Sequence, residues 1–141
     1  MIEKISHIGI AVKSMQEALS VFEDGIGLEV TSTDEVKAQK VRVAFLPVGE
    51  TRLELLEPTQ EDSPIAKFLE NRGEGIHHIA LKVTNIEESL AKMKEKGVKL
   101  INEEPVAGAH GTRIALLHPK GTKGVMLELV EVVEELEEGR R

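Results

Sequence analysis

The chain contains an internal repeat, and this repeat limits the folds that are open to it. The segment Ser6–Lys13 can be superposed on His77–Thr84, and identical residues then align along both copies: His7 with His78, Val12 with Val83, Glu17 with Glu88, and Leu19 with Leu90. Each segment is followed by a helix start, Ser14-Met15-Gln16-Glu17 or Asn85-Ile86-Glu87-Glu88, whose first side chain can cap free backbone N–H groups. The pattern therefore indicates a duplicated structural unit.

Each copy is predicted to form a strand, a helix and three further strands. The first copy has the strand Ile5–Val12, the helix Met15–Glu23 and the strands Leu28–Thr33, Lys40–Pro47 and Thr51–Glu57. The second has the strand Gly75–Val83, the helix Ile86–Lys96 and the strands Val98–Asn102, Arg113–Leu117 and Gly124–Val132. A helix at 63–72, capped by Ser63 and started by Pro64, joins them.

This order predicts an α+β fold in which two tandem βαβββ modules form a curved mixed sheet, or trough. We expect a single domain over 1–141, with modules 1–60 and 74–133 and an acidic tail at 134–141. In the first helix an apolar stripe is expected to cover one face of the first strand. That stripe consists of Met15, Ala18, Leu19 and Phe22.

Composition excludes several classes of protein. The absence of cysteine rules out disulfides and thiolate metal sites. A formal charge of −7 and an aromatic content of three Phe, without Trp or Tyr, oppose binding to nucleic acid. No segment approaches the ~20 apolar residues that span a bilayer, and no signal sequence is evident, so we expect a soluble cytoplasmic protein with no membrane partner.

Two histidines and two glutamates are the candidate site. Strand alternation places His7 and His78 opposite the branched residues of their strands, and Glu54 and Glu128 opposite their flanking leucines, so all four are expected on one face. A divalent cation would relieve the repulsion between the carboxylates. Taken singly, each residue also suits a structural role, but recurrence in both copies favours an open metal site for Co, Ni, Mn, Zn or Mg. His77 faces the other way and is predicted to be structural.

At these residues the sequence resembles the vicinal oxygen chelate (glyoxalase/bleomycin resistance/dioxygenase) superfamily, built from paired βαβββ modules, and within it the methylmalonyl-CoA epimerase family. The resemblance covers roughly Ile5 to Val130. Its specific segments are His7–Val12, Leu53–Pro58, Asp62–Ala66, Gly75–Ala80, Gly108–Gly111 and His118–Lys120.

The resemblance implies an isomerase that interconverts (R)- and (S)-methylmalonyl-CoA. The C2 proton would be removed and returned through an enolate stabilised by the metal, which would be Co²⁺ or else Zn²⁺, Ni²⁺, Mn²⁺ or Mg²⁺. The family's metal positions fall on His7, Glu54, His78 and Glu128, although some members have Gln at the position of Glu54. The resemblance also implies a homodimer and a place in propionate metabolism.

Acid–base chemistry on both faces of a planar intermediate needs two proton carriers. Glu128 is the candidate for one. Some family members carry the other as a glutamate on the strand Lys40–Leu46, but here Val43 takes that position, with Arg42 beside it. Either the second carrier comes from elsewhere, such as His110 or a metal-bound water, or the alignment on this strand is shifted by one residue. For the CoA moiety we expect contacts from the two loops that flank the strand Arg113–Leu117. The contact residues would be His110, Arg113, Lys120 and Lys123, and the alternative is that these residues form a solvated face. His118 is predicted to be either a ligand contact in its loop or a surface residue.

Three other functions fit the same fold. Glyoxalase I, a lactoylglutathione lyase, shares the four-ligand plan and the proton transfer, whereas the late loops Gly-Ala-His-Gly and His-Pro-Lys favour CoA. An extradiol dioxygenase uses two histidines and one carboxylate around iron, and the additional Glu54 argues against it. A metal-free small-molecule binding protein would need aromatic walls, for which three Phe provide little material.

Overall fold

The computed structural model describes residues 1–132 and confirms the predicted order of elements, with βαβββ occurring twice. The predicted acidic tail, 134–141, lies outside the described residues. The strands are β1 (Ile2–Ala11), β2 (Ser32–Val36), β3 (Val41–Val48), β4 (Thr51–Pro58), β5 (Gly75–Val83), β6 (Val106–Ala107), β7 (Arg113–Leu116) and β8 (Leu127–Glu131). The helices are α1 (Met15–Leu19), α2 (Pro64–Arg72) and α3 (Ile86–Glu95). Within residues 1–132 no helix is long and apolar enough to cross a bilayer.

The strands form a mixed sheet of eight in the order β2-β3-β4-β1-β5-β8-β7-β6, as the α+β prediction required. In each repeat the first strand pairs in parallel with the last, β1 with β4 and β5 with β8. The chain divides into two compact units: His7–His77, and Met1–Ser6 together with the chain from His78 onward. Strand β1 therefore begins in one unit and ends in the other.

The core of the unit His7–His77 lies between α1 and one face of its strands. Met15 and Ala18 of the helix pack with Val12, Ala44, Leu46 and Leu55, and Leu19 and Phe22 add to the cluster. The predicted apolar stripe is therefore confirmed. Helix α1 is capped by Ser14, which accepts from the Glu17 N–H at 3.2 Å. It continues as a π-helical segment, Ser20–Gly25, before Gly27 turns the chain with φ of 95°.

The second unit repeats this packing around α3. Ile86 and Leu90 of the helix pack with Val83, Ala115, Leu117 and Leu129, all buried. Asn85 caps the helix by accepting from the Glu88 N–H at 3.0 Å, and Gly97 follows its end with φ of 81°. Because Leu127 and Leu129 face the helix, Glu128 between them points to the other face of the sheet.

Helix α2 begins as predicted. Ser63 is fully buried and accepts from the Ile65 N–H at 3.1 Å, and Pro64 occupies the first helical position. Burial of this cap means that water cannot replace it if the hydroxyl is lost.

Two predicted strands are wrong in position. The segment predicted as Leu28–Thr33 is mostly coil and the strand lies later, at Ser32–Val36, because the Leu28 N–H is bound by the Phe22 carbonyl and the Val30 N–H by the Glu23 carboxylate. The segment predicted as Val98–Asn102 forms only an isolated bridge, Leu100 with Leu117. The strand that pairs with β7 is instead the short β6.

Candidate active site

His7 and Glu54 form a buried pair in the unit His7–His77. They lie on adjacent parallel strands, with Gly9 opposite Glu54 in the β1–β4 register and His7 opposite Arg52. Nδ1 of His7 is 3.3 Å from Oε2 of Glu54, and the two residues are 4% and 5% exposed. Both side chains therefore project from the face of the sheet that α1 does not cover.

Burial keeps the His7 imidazole neutral. Desolvation lowers the pKa of His7 from 6.5 to about 4, against an opposing effect of the Glu54 carboxylate and with a smaller lowering from the Arg52 guanidinium. At neutral pH the ring is therefore uncharged, which is the form that binds metal ions.

Arg52 completes this side of the site and was not predicted from the sequence. Its Nε donates to Oε2 of Glu54 at 2.8 Å, and its guanidinium carbon lies 5.5 Å from the centre of the Phe45 ring. The carboxylate of Glu54 is thus oriented by a cation whose own position is fixed by an aromatic face. A signal was present: Arg52 precedes Glu54 by two residues and so must share its face of the strand.

His78 and Glu128 form the corresponding buried pair in the second unit. Nε2 of His78 is 3.7 Å from Oε1 of Glu128, and the residues are 7% and 6% exposed. In the β5–β8 register Ala80 lies opposite Glu128, just as Gly9 lies opposite Glu54 in the other unit. In both repeats the glutamate is therefore opposite the residue two positions after the histidine, so the strand register is repeated as well as the sequence.

The chemistry of these side chains fits a divalent cation. His7, His78 and Glu128 form a group that could hold a metal ion. A neutral imidazole and buried carboxylates are ligands suited to Zn²⁺, Co²⁺, Ni²⁺ and related ions. Glu54 as a fourth ligand stays a prediction; its Oε2 lies close to both Arg52 and His7.

Strand β3 supplies no carboxylate to this face. Val43, 2% exposed, lies opposite Leu56 and so shares the face of Glu54, whereas Arg42 lies opposite Glu57 and forms an ion pair with it. A one-residue shift of the alignment would therefore not bring an acid to the site. His110 is half-buried and has a left-handed backbone with φ of 53°, a conformation that non-glycine residues rarely adopt outside functional sites and turns.

The remaining loop residues have varied surroundings. Nδ1 of His118 accepts from the Lys120 N–H at 3.1 Å, so His118 caps a 3₁₀ turn, and Lys120 and Lys123 are exposed. Arg113 donates to Glu87 at 2.9 Å and to Glu131 at 3.0 Å, on the face of its strand opposite to that of Glu128. Their predicted contacts with CoA stay predictions. His77 packs edge-on against Phe68, with ring centroids 4.9 Å apart, and its structural role stays a prediction.

A second pair of glutamates was also missed. Glu57 accepts from the Met15 N–H at 2.9 Å, and Glu131 accepts from the Ile86 N–H at 2.8 Å. Each lies three residues after the site glutamate of its strand, on the opposite face, and binds the start of the helix in its own unit. The recurrence of Glu54/Glu57 as Glu128/Glu131 could have revealed them from the sequence.

Comparison with known proteins gives consistent matches over most of the chain. Residues 6–116 match the profile of the Glyoxalase/Bleomycin resistance protein/Dioxygenase superfamily. An ethylmalonyl-CoA/methylmalonyl-CoA epimerase of Cereibacter sphaeroides is 38% identical over 134 residues, which are 94% of this chain and 100% of that protein. The mitochondrial methylmalonyl-CoA epimerase of Homo sapiens is 37% identical over 127 residues, covering 89% of this chain and 72% of that protein.

A solved structure agrees in fold as well as in sequence. It is of a variant of the Streptomyces coelicolor methylmalonyl-CoA epimerase in complex with 2-nitronate-propionyl-CoA. The TM-score is 0.90 at 38% identity, with 95% of this chain and 97% of that chain covered.

Proposed function

The chain belongs to the glyoxalase/bleomycin resistance protein/dioxygenase superfamily and, within it, to the methylmalonyl-CoA epimerase family, and we propose from this membership that it interconverts (R)- and (S)-methylmalonyl-CoA. It is an isomerase of the epimerase class whose ligand is an acyl-CoA. The observation that carries the proposal is the repeated, buried His–Glu pair, found in a chain so similar to named epimerases. Neither glyoxalase I nor a metal-free binding protein has such support.

The chain's own residues divide the work of epimerisation. His7, His78, Glu128 and, as the predicted fourth ligand, Glu54 would hold a divalent cation, with neutral imidazole provided by the low pKa of His7. That cation would supply positive charge opposite the oxyanion that develops when a proton leaves carbon alpha to a thioester. Glu128 would take the C2 proton, since a carboxylate buried beside an imidazole is shielded from bulk water.

The second proton carrier is proposed to be His110. Val43 cannot transfer a proton, and Arg42 lies on the other face of the sheet. His110 has an imidazole in a half-buried loop position with unusual backbone geometry. A His110→Gln protein would then exchange the C2 proton of only one of the two epimers, which solvent-deuterium labelling of each epimer would show.

Several finer points belong to the same proposal. Co²⁺ is the proposed metal, since a mixed nitrogen and oxygen ligand set accepts it. Arg113, Lys120 and Lys123 are proposed to meet CoA phosphates, and the chain to work as a homodimer. A methylmalonyl-CoA substrate would place the chain in propionate metabolism, and the proposed location is the cytoplasm.

The test is to incubate the Co²⁺-loaded protein with racemic methylmalonyl-CoA, and separately with one epimer, in D₂O and to follow the C2 proton by NMR. We expect exchange at C2 and conversion of a single epimer to the racemate. A parallel assay with methylglyoxal and glutathione tests the glyoxalase alternative. Activity only in the second assay would replace the proposal, and a protein that neither binds added Co²⁺ nor exchanges the C2 proton would leave the metal-free binding protein.

A further inference from the structure

Arg52 lies beside both residues of the first His–Glu pair. In the β1–β4 register it is the direct neighbour of His7, and along β4 it precedes Glu54 by two residues, so all three share one face of the sheet. A guanidinium therefore borders the proposed metal ligands.

Within residues 1–132, only part of the guanidinium is used. Nε donates to Glu54, and the planar group lies over Phe45. Among residues 1–132 the structure shows no hydrogen-bond partner for Nη1 or Nη2, and the side chain is 25% exposed. These two nitrogens form the fork that binds a carboxylate with two parallel hydrogen bonds.

Two other arginines are committed elsewhere. Arg42, on the adjacent strand of the same unit, pairs with Glu57 on the helix-covered face. Arg113, in the other unit, is held by Glu87 and Glu131. Arg52 differs from both of these arginines in two ways. It lies on the face of the sheet that carries a His–Glu pair, and within residues 1–132 its Nη1 and Nη2 have no hydrogen-bond partner.

We propose that Arg52 binds the free carboxylate of the acyl-CoA substrate and thereby makes the site selective for thioesters of 2-alkylmalonic acids over neutral acyl-CoA. The inference rests on the proposed function and assigns it a residue that determines specificity. A substrate of this class differs from ordinary acyl-CoA by one carboxylate close to the reacting carbon. A fixed guanidinium with free N–H donors discriminates such an anion better than a mobile lysine, because its planar fork loses less conformational freedom.

The experiment compares two ligands that differ at one atom. Malonyl-CoA carries the carboxylate, whereas acetoacetyl-CoA has a methyl group in place of one carboxylate oxygen and keeps the neighbouring carbonyl. Dissociation constants for both are measured by calorimetry on Co²⁺-loaded wild-type protein, Arg52→Gln and Arg52→Lys. Arg42→Gln is the matched control, since it removes the same charge from the adjacent strand on the opposite face. Cobalt content and thermal unfolding are recorded for every variant.

We expect the wild type and Arg42→Gln to prefer malonyl-CoA, and Arg52→Gln to lose roughly ten- to a hundredfold of that preference, as for a lost charge-assisted hydrogen bond. Arg52→Lys should retain an intermediate preference. An unchanged preference in Arg52→Gln would overturn the inference, and so would an equal loss for both ligands, which would mean that Arg52 only positions Glu54. If wild-type protein bound neither ligand, the proposed function itself would fail, and this inference with it.

Discussion

At the scale of single residues, one buried and one half-buried histidine tie the stability of the fold to pH. Burial lowers the pKa of His7 and of His77 to about 4, from an ordinary value of 6.5. Between pH 6.5 and 4 the unfolded chain therefore binds protons that the folded chain does not, so the free energy of unfolding falls as the pH falls through this window. Each histidine contributes a slope of at most about 1.4 kcal/mol per pH unit.

We predict that metal-free protein loses stability steadily from pH 6.5 to pH 4, measured by urea unfolding at half-unit steps. His77→Phe keeps the edge-on contact with Phe68 but removes one titrating group, so its slope should be smaller by up to about 1.4 kcal/mol per pH unit. Identical slopes in the two proteins would show that His77 is protonated as easily in the folded state as in the unfolded one.

Glu128 supports a second prediction at this scale. Glu128→Gln replaces a proton acceptor by an amide of the same shape, and we expect turnover to fall by roughly 10²- to 10⁴-fold. The matched control is Glu54→Gln, the same change at the equivalent position of the other repeat, which should retain more activity because an amide oxygen can still serve as a ligand. Cobalt content separates loss of the base from loss of the ion. Equal activity in both variants would remove Glu128 from the mechanism.

At the scale of elements, the last strand of each repeat binds the helix of the same repeat through one carboxylate. Glu57 holds the start of α1 and Glu131 the start of α3, and each is also paired with an arginine, Arg42 or Arg113. A negative group at a helix start satisfies a free N–H and complements the helix dipole. Since Glu131 is three residues from Glu128, this contact also fixes the strand that carries the proposed base.

We predict that Glu131→Gln lowers the free energy of unfolding by about 1–2 kcal/mol, as for the loss of a charged helix cap. Glu88→Gln makes the same charge change in the first turn of α3, where the pair with Lys92 is exposed and screened by solvent, so the loss of stability should be much smaller. Urea unfolding of both variants measures the difference. Equal losses would show that the contact of Glu131 with the Ile86 N–H adds nothing beyond its charge.

The elements also show what local sequence can and cannot predict. The caps Ser14, Ser63 and Asn85 were identifiable because a cap acts on the next few residues of its own chain. Strand β2 was misplaced because Leu28 and Val30 are apolar, as in a strand, yet their N–H groups bind the end of the preceding helical segment. Arg52 was missed for a related reason: its importance depends on its neighbour in the register, His7, which is distant in the sequence.

At the scale of the whole molecule, duplication provides two equivalent His–Glu pairs. The coordination chemistry of metal ions indicates whether the pairs would bind two ions separately or one ion together. Two separate sites would each have one nitrogen and one carboxylate from the protein, which is few ligands for a transition metal. A shared ion would have ligands from both repeats. The proposed epimerisation needs one strongly bound cation. If the two repeats share that cation, each of them supplies ligands without which it would not bind strongly.

We therefore predict one Co²⁺ per chain by calorimetry, and a large loss of affinity in His7→Ala and in His78→Ala alike. Cobalt at 100 times its dissociation constant should stabilise the wild type by about 2.7 kcal/mol, and both variants should lose this stabilisation. His118→Gln, which changes a histidine that caps a turn outside both pairs, serves as the control and should bind cobalt normally. Two ions per wild-type chain, with one retained in each alanine variant, would instead mean that the repeats bind metal independently, and the shared cation would have to be abandoned.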